Sequence, residues 1–216
     1  MANPKNVIGM ARFGIVSKNV CGISMPELRA LAKKIGKDHN LAARLWKSGI
    51  YEARILSGMV DEADKVTEAQ MDSWVKDFDS WAVCDGTCMN LFDKTPFAFK
   101  KAAEWAGRKS EYEKRAGFAL MACLGWHDKN ASAEKYRKFF YLIKKNSTDE
   151  RNYVKKAVNW ALRQIGKRNK DLNREAIKVA REILSVGRRI NNKTAKWIAG
   201  DALRELTSPA VQKRLK

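Results

Sequence analysis

Tyr51-Glu-Ala-Arg54-Ile-Leu, Tyr112-Glu-Lys-Arg115-Ala-Gly and Tyr153-Val-Lys-Lys156-Ala-Val share one pattern. Each opens on tyrosine, places a basic residue three positions later and runs into an apolar helical stretch. Trp81-Ala-Val-Cys84-Asp85 falls between the first two at matching phase, and Lys193-Thr-Ala-Lys196-Trp197-Ile follows the last. The starts at 51, 81, 112, 153 and 193 lie 30, 31, 41 and 40 residues apart. A period in that range, on helical texture, is that of stacked two-helix units such as HEAT and armadillo repeats.

The texture around these segments is helical throughout. Apolar residues recur at three and four spacing, no stretch sustains a period of two, and about a dozen helices are expected. Ser24-Met-Pro-Glu27 carries the capping-box pattern with an early proline. Thr67, Thr95-Pro96, Ser110, Ser132 and Thr148-Asp149 read as further helix starts, and Gly187 and Asn191-Asn192 as a late break. The predicted fold is all-α, with HEAT-like two-helix repeats winding into a curved α-α superhelix over residues 1–216 as a single repeat domain. In such a solenoid Arg54, Arg115, Lys156 and Lys196 recur at equivalent points. They would line a concave wall able to follow a phosphate backbone. The competing reading is a solvated helix face with local ion pairing.

Composition supports a folded chain with a polyanionic partner. The 216 residues are 45% apolar and 31% charged, with 43 Lys and Arg against 24 Asp and Glu, a net charge of +19. Residues 1–100 hold 14 basic and 12 acidic side chains, so nearly all of the excess falls in residues 101–216. Charge of that size favours nucleic acid as partner, with an anionic membrane surface second. No apolar run approaches the roughly 20 residues of a membrane span. The opening Met1-Ala-Asn-Pro-Lys lacks a signal-peptide core, so a cytoplasmic location is expected, with reduced thiols at Cys21, Cys84, Cys88 and Cys123.

Several chemistries find no support. No P-loop or Rossmann glycine pattern occurs. Cys84 and Cys88 lack a second ligand pair, and His39 and His127 are the only histidines, which argues against zinc and against Ser-His or Cys-His catalysis. No metal or cofactor is expected.

Tryptophan is abundant. Trp46, Trp74 and Trp105 fit apolar faces and are expected in the core. Trp81 has Asp85 one helical turn on, on the same face. Trp160 has Arg163 three residues on and Lys155, Lys156, Lys167 and Arg168 nearby. Aromatic faces beside a carboxylate on a basic scaffold could hold a cationic base. Patterning by itself still reads Trp81 and Trp160 as core and Asp85 as a helix-surface acid.

At these residues the sequence resembles the DNA alkylation repair family, the AlkD-like DNA glycosylases. Met10-Ala-Arg-Phe13, Cys21-Gly-Ile23 and Pro26-Glu-Leu-Arg29 look like its N-terminal segment. Ser80-Trp81-Ala-Val-Cys-Asp85 resembles its Trp-x-x-x-Asp motif, and Glu113-Lys-Arg115-Ala-Gly a Gln-Arg-Ala-Ala-type motif. Val154-Lys-Lys-Ala-Val-Asn-Trp160-Ala-Leu-Arg163 resembles a third, Lys-Ala-x-x-Trp-x-Leu-Arg. The resemblance implies a HEAT-like solenoid that excises cationic N3- and N7-alkylated purines from double-stranded DNA; a monomer is the expectation for an open DNA-binding solenoid. It makes Asp85 the catalytic carboxylate, sets Trp81 and Trp160 beside the lesion and gives Arg115 a phosphate contact. Arg163 and the residue at Phe13 become supporting DNA contacts. Phe13 stands where the family commonly has tyrosine, and Gly117 where it has a small alanine. The alternatives are a non-catalytic HEAT-repeat DNA-binding protein and a scaffold for acidic partners.

Overall fold

The computed structural model describes residues 3–15, 17 and 19–215. All regular structure among them is helical, and the chain divides into two compact units, residues 1–97 and 98–216. Among the described residues, no helix is long and apolar enough to cross a membrane.

The first unit holds α1 (Pro4–Arg12), α2 (Met25–Ile35), α3 (His39–Lys47), α4 (Tyr51–Val60), α5 (Glu68–Trp74) and α6 (Trp81–Asn90), with 3-10 turns at Val75–Asp77 and Phe92–Lys94. Its centre is aromatic. Trp46 and Trp74 stack at 4.1 Å with planes 3° apart, and Phe78 meets Trp46 edge-on at 5.9 Å. A buried carboxylate ties the N-terminal segment down. Glu52 accepts from the backbone N–H groups of Cys21 at 2.9 Å and Gly22 at 2.6 Å. The Cys21 carbonyl in turn accepts from the Asn3 N–H, which brings α1 alongside this loop.

The second unit holds α7 (Ala98–Ala106), α8 (Glu111–His127), α9 (Ala133–Lys145), α10 (Asn152–Gly166), α11 (Lys170–Arg189), α12 (Lys193–Leu206) and α13 (Pro209–Arg214). The helices α8, α10 and α12 pack side by side as one layer, against α7, α9 and α11 as the other. α8 is the central rod, buried continuously from Arg115 to Gly125. Phe118, Leu120 and Met121 are fully enclosed there. Burial of each stabilises the fold by about 2 kcal/mol.

The recurring sequence pattern marks the second helix of each pair. Tyr51, Trp81 and Lys193 begin α4, α6 and α12, while Tyr112 and Tyr153 are the second residues of α8 and α10. Local capping chemistry also holds at several predicted starts. Ser24 and Glu27 form the capping box, and Thr67 accepts from the Gln70 N–H; at the predicted break of Asn191-Asn192, Asn192 caps α12 by accepting from the Ala195 N–H. Three starts or breaks differ. Thr95 donates back to the Phe92 carbonyl, and α7 begins three residues later. Asp149 accepts from the Arg151 N–H, which delays α10 to Asn152. Gly187 is no break: it lies buried inside α11, where an added Cβ would meet Ala195 Cβ at 2.9 Å and Lys196 N at 3.0 Å. A hydrogen side chain lets α11 press onto α12 there.

Gly117 has a similar cause. A Cβ at this position would lie 2.3 Å from the Ala106 backbone nitrogen, so α8 and α7 touch main chain to main chain. The departure from alanine follows from this contact.

Candidate nucleic-acid interface

In the first unit, Ser80 caps α6 by accepting from the Val83 N–H, which fixes where the helix starts. Val83, Cys84, Thr87 and Cys88 then turn to the core, so Trp81 and Asp85 share the partly open face one turn apart. Both are half-buried. A Cβ on the neighbouring Gly86 would meet nothing within 4 Å, so this side of the helix is uncrowded. The Trp81 indole Nε1–H donates to the Phe13 carbonyl oxygen at 2.8 Å. Phe13 follows the end of α1 and its side chain is 72% exposed. The structure thus brings Phe13, Trp81 and Asp85 together, with the tryptophan oriented by main chain.

Arg54, on α4, is folded into the first unit. Its Nη1 donates to the Asp77 carbonyl at 2.9 Å, its guanidinium lies 5.4 Å from the Trp46 ring, and Asp77 and Asp79 sit within ion-pair range.

In the second unit, the N-terminal ends of α8 and α10 are clipped together. Arg115 is buried, and its Nη1 donates to the Tyr153 carbonyl at 2.6 Å. Glu111 accepts from the Tyr153 N–H at 3.2 Å, and the Tyr112 and Tyr153 rings meet at 5.4 Å. Burial raises the Tyr112 hydroxyl to about 12. Asp149 braces the same end, bound by Arg151 and by Lys114 at 3.1 Å. The hydrogen bonds from Arg151 are the main reason its carboxyl is held down at about 2.

Further along α10, Lys156, Trp160, Arg163 and Lys167 follow one another at four, three and four spacing, which places them on one face. Lys156 is exposed and Trp160 half-buried. Arg163 reaches to α12, where Asp201 lies 3.5 Å away and Glu205 at 2.5 Å, and Lys167 binds the other oxygen of Glu205 at 2.6 Å. On α12, Lys196 binds the Asn191 side chain, and Trp197 is 44% exposed with the Lys155 ammonium 5.9 Å from its ring. Trp197 was not singled out by sequence patterning, although the Lys196-Trp197 pair at the head of a repeat is the signal for it. Trp46, Trp74 and Trp105 are in the core as expected.

A family model described as DNA alkylation repair enzyme matches residues 1–206. The chain belongs to that family. Its fold is shared with a solved structure of a family of proteins related to the HEAT-like repeat DNA glycosylases with affinity for branched DNA structures. The TM-score is 0.74, at 21% identity, covering 84% of this chain and 77% of the other. No curated protein matches the sequence. The all-α HEAT-like repeat fold of the DNA alkylation repair family is therefore the fold of this chain.

For a member of this family the distribution of charge is informative. In the second unit, α8, α10 and α12 carry eight Lys and Arg against four Asp and Glu. The other layer is more basic: α9 and α11 together carry eleven against four. Two of those cations are paired between the helices, Arg137 with Glu175 at 2.8 Å and Lys144 with Glu182 at 2.9 Å. Positive charge thus covers both layers, not only the helices that carry the repeat pattern. Among the described residues, no group of three His, Cys, Asp or Glu could hold a metal, and all four cysteines are free thiols.

Proposed function

We propose that this protein is a DNA glycosylase of base excision repair that hydrolyses the N-glycosidic bond of cationic N3- or N7-alkylated purines in duplex DNA. The observation that carries the reading is Trp81 and Asp85 on the open face of α6, with the indole anchored to the Phe13 carbonyl. An alkylated purine already bears positive charge and leaves without protonation. Bond cleavage then develops positive charge on the deoxyribose, as in glycoside hydrolysis. A carboxylate at that point lowers the barrier electrostatically and can orient the attacking water. Asp85 takes this role. Trp81 presents an aromatic face to the cationic base, an attraction of about 0.5–2 kcal/mol. Trp160 offers a second aromatic face in the basic second unit, where Lys156 binds backbone phosphate. Arg115, Arg163, Arg54 and Phe13 act mainly by holding the DNA-facing helices in place. The protein works as a monomer in the cytoplasm, associated with the nucleoid through its DNA.

The test is base release from methylated duplex DNA by the unaltered protein and by Asp85→Asn. Removing a stabilising group of this kind should slow release by about 10²–10³-fold while duplex affinity is retained. No release by the unaltered protein on either methylpurine would overturn the proposal.

A second reading has one specific observation in its favour. The solved relative with the same fold has affinity for branched DNA structures. A non-catalytic DNA-binding role keeps the basic second unit and needs no carboxylate at position 85. Binding without base release is its signature.

A further inference from the structure

A cavity of about 550 Å³ opens in the second unit at the C-terminal ends of α8 and α10, beside α13. It is about 10 Å along α10 from Trp160, the distance of seven helical residues from 160 to 167. Its walls include Trp126, Lys129, Lys167, Arg168, Asn169 and Arg214, and no Asp or Glu lines it. Of the four cations, Lys167 has a carboxylate partner, Glu205. Lys129, Arg168 and Arg214 donate only to backbone carbonyls among the described residues: Lys129 to Trp126, Arg168 to Leu124, Gly125 and Asp128 at the end of α8 and to Ala131, with its guanidinium 4.2 Å from the Tyr136 ring, and Arg214 to Ala210. Such bonds use N–H groups but cancel no charge. The helix ends themselves carry partial negative charge, worth about half an electron each, so three full cations leave an excess.

Trp126 completes the chemistry. It is the one tryptophan of the buried α8, yet it is 50% exposed at the cavity, with the His127 ring stacked 4.8 Å from it. Holding so large an apolar surface in water at a fixed position costs free energy that a bound flat ring would recover. An aromatic platform next to concentrated positive charge is what sequence-independent binding of single-stranded nucleic acid requires: the base stacks and the phosphates pair. The volume falls in the range of small-ligand sites, ample for one nucleotide.

We infer that this cavity binds an unpaired nucleotide of a DNA strand, stacking its base on Trp126 and holding its phosphates with Lys129 and Arg214, with the charge of Arg168 adding to the field there. The inference rests on the reading of the chain as a DNA-binding repair protein, and adds to it a contact away from Trp81 and Asp85. It gives the protein a preference for DNA in which one strand runs free of the duplex.

The test compares a fully paired duplex with the same duplex bearing an unpaired extension of about eight nucleotides, by fluorescence anisotropy at one fixed salt concentration. The extension should tighten binding about tenfold, the worth of one stacked base, and should quench tryptophan emission. Trp126→Ala and Arg214→Gln should each remove that gain and leave affinity for the paired duplex unchanged. Both side chains are exposed, so neither change removes a core contact; Arg168, which caps α8, is left intact. Equal affinity for the two DNAs would overturn the inference, as would a gain that survives in both variants. Affinity for the paired duplex and base release from methylated DNA judge the proposed function separately, because neither depends on the difference between the two DNAs.

Discussion

The indole N–H of Trp81 donates to the carbonyl oxygen of Phe13, 68 residues earlier in the chain, at 2.8 Å. One hydrogen bond thereby joins the end of α1 to the first residue of α6, and so sets the tryptophan relative to Asp85 one turn on. It also gives position 13 a role through its main chain that is independent of the side chain there. The lost tyrosine hydroxyl at Phe13 leaves this anchor intact.

Trp81→Phe keeps an aromatic face and removes the donor. A partly exposed hydrogen bond contributes about 1 kcal/mol. The expected result is local: backbone amides of Gly14 and Ile15 should exchange about fivefold faster, with little change in the thermal midpoint. Hydrogen-exchange mass spectrometry on the 3–20 segment reads it. Unchanged exchange would mean that the anchor does not order the end of α1.

Arg115→Ala should act first on stability. It removes a buried guanidinium whose Nη1 bonds the Tyr153 carbonyl at 2.6 Å. A charged hydrogen bond and the packing of the side chain stem are lost together, about 2–3 kcal/mol. Urea unfolding should show a lower midpoint with an unchanged slope. A variant of normal stability that loses duplex affinity would instead make Arg115 a direct phosphate ligand.

Gly117→Ala should destabilise by about 1–3 kcal/mol, because the new methyl group has main chain 2.3 Å away and α8 must move off α7. Gly86→Ala is the control. Its Cβ meets nothing within 4 Å, so it should be neutral or slightly stabilising in the helix. Calorimetry on the two variants separates close approach from loss of glycine as such.

Acid should weaken the braced ends of α8 and α10. Folding lowers the Asp149 carboxyl from the ordinary value of 3.8 to about 2, chiefly through Arg151. The stabilisation is complete above the ordinary value and is lost as pH falls from about 4 through about 2. The shift corresponds to about 2 kcal/mol. Asp149→Asn should therefore lower stability at neutral pH by about that amount and flatten the stability profile over this acid window. Parallel profiles for the two proteins would refute the assignment.

Much of the architecture was legible in the residues. The repeat led by Tyr51, Trp81, Tyr112, Tyr153 and Lys193 located the starts of α4, α6, α8, α10 and α12 to within one residue, because cap chemistry and apolar periodicity act over a single turn or two. Ser24, Thr67 and Asn192 are caps for the same reason. Gly187 misled because a glycine reads alike at a break and at a close crossing of two helices; only α12 lying against it distinguishes them.

The availability of the cations was not legible. Sequence showed that Arg115 and Arg163 recur in basic, helical surroundings and could not show their partners. Tyr153 lies 38 residues beyond Arg115, and Glu205 lies 42 beyond Arg163, one helix pair on in each case. Trp126 and Trp105 likewise look alike in the sequence, yet one is half in water and the other fully buried. Helix type, phase and family follow from interactions among near neighbours and from motifs, which the chain order preserves. Which charges stay open to a polyanion, and which aromatic faces meet solvent, follow from packing between repeats, whose contacts exist only once the helices have stacked.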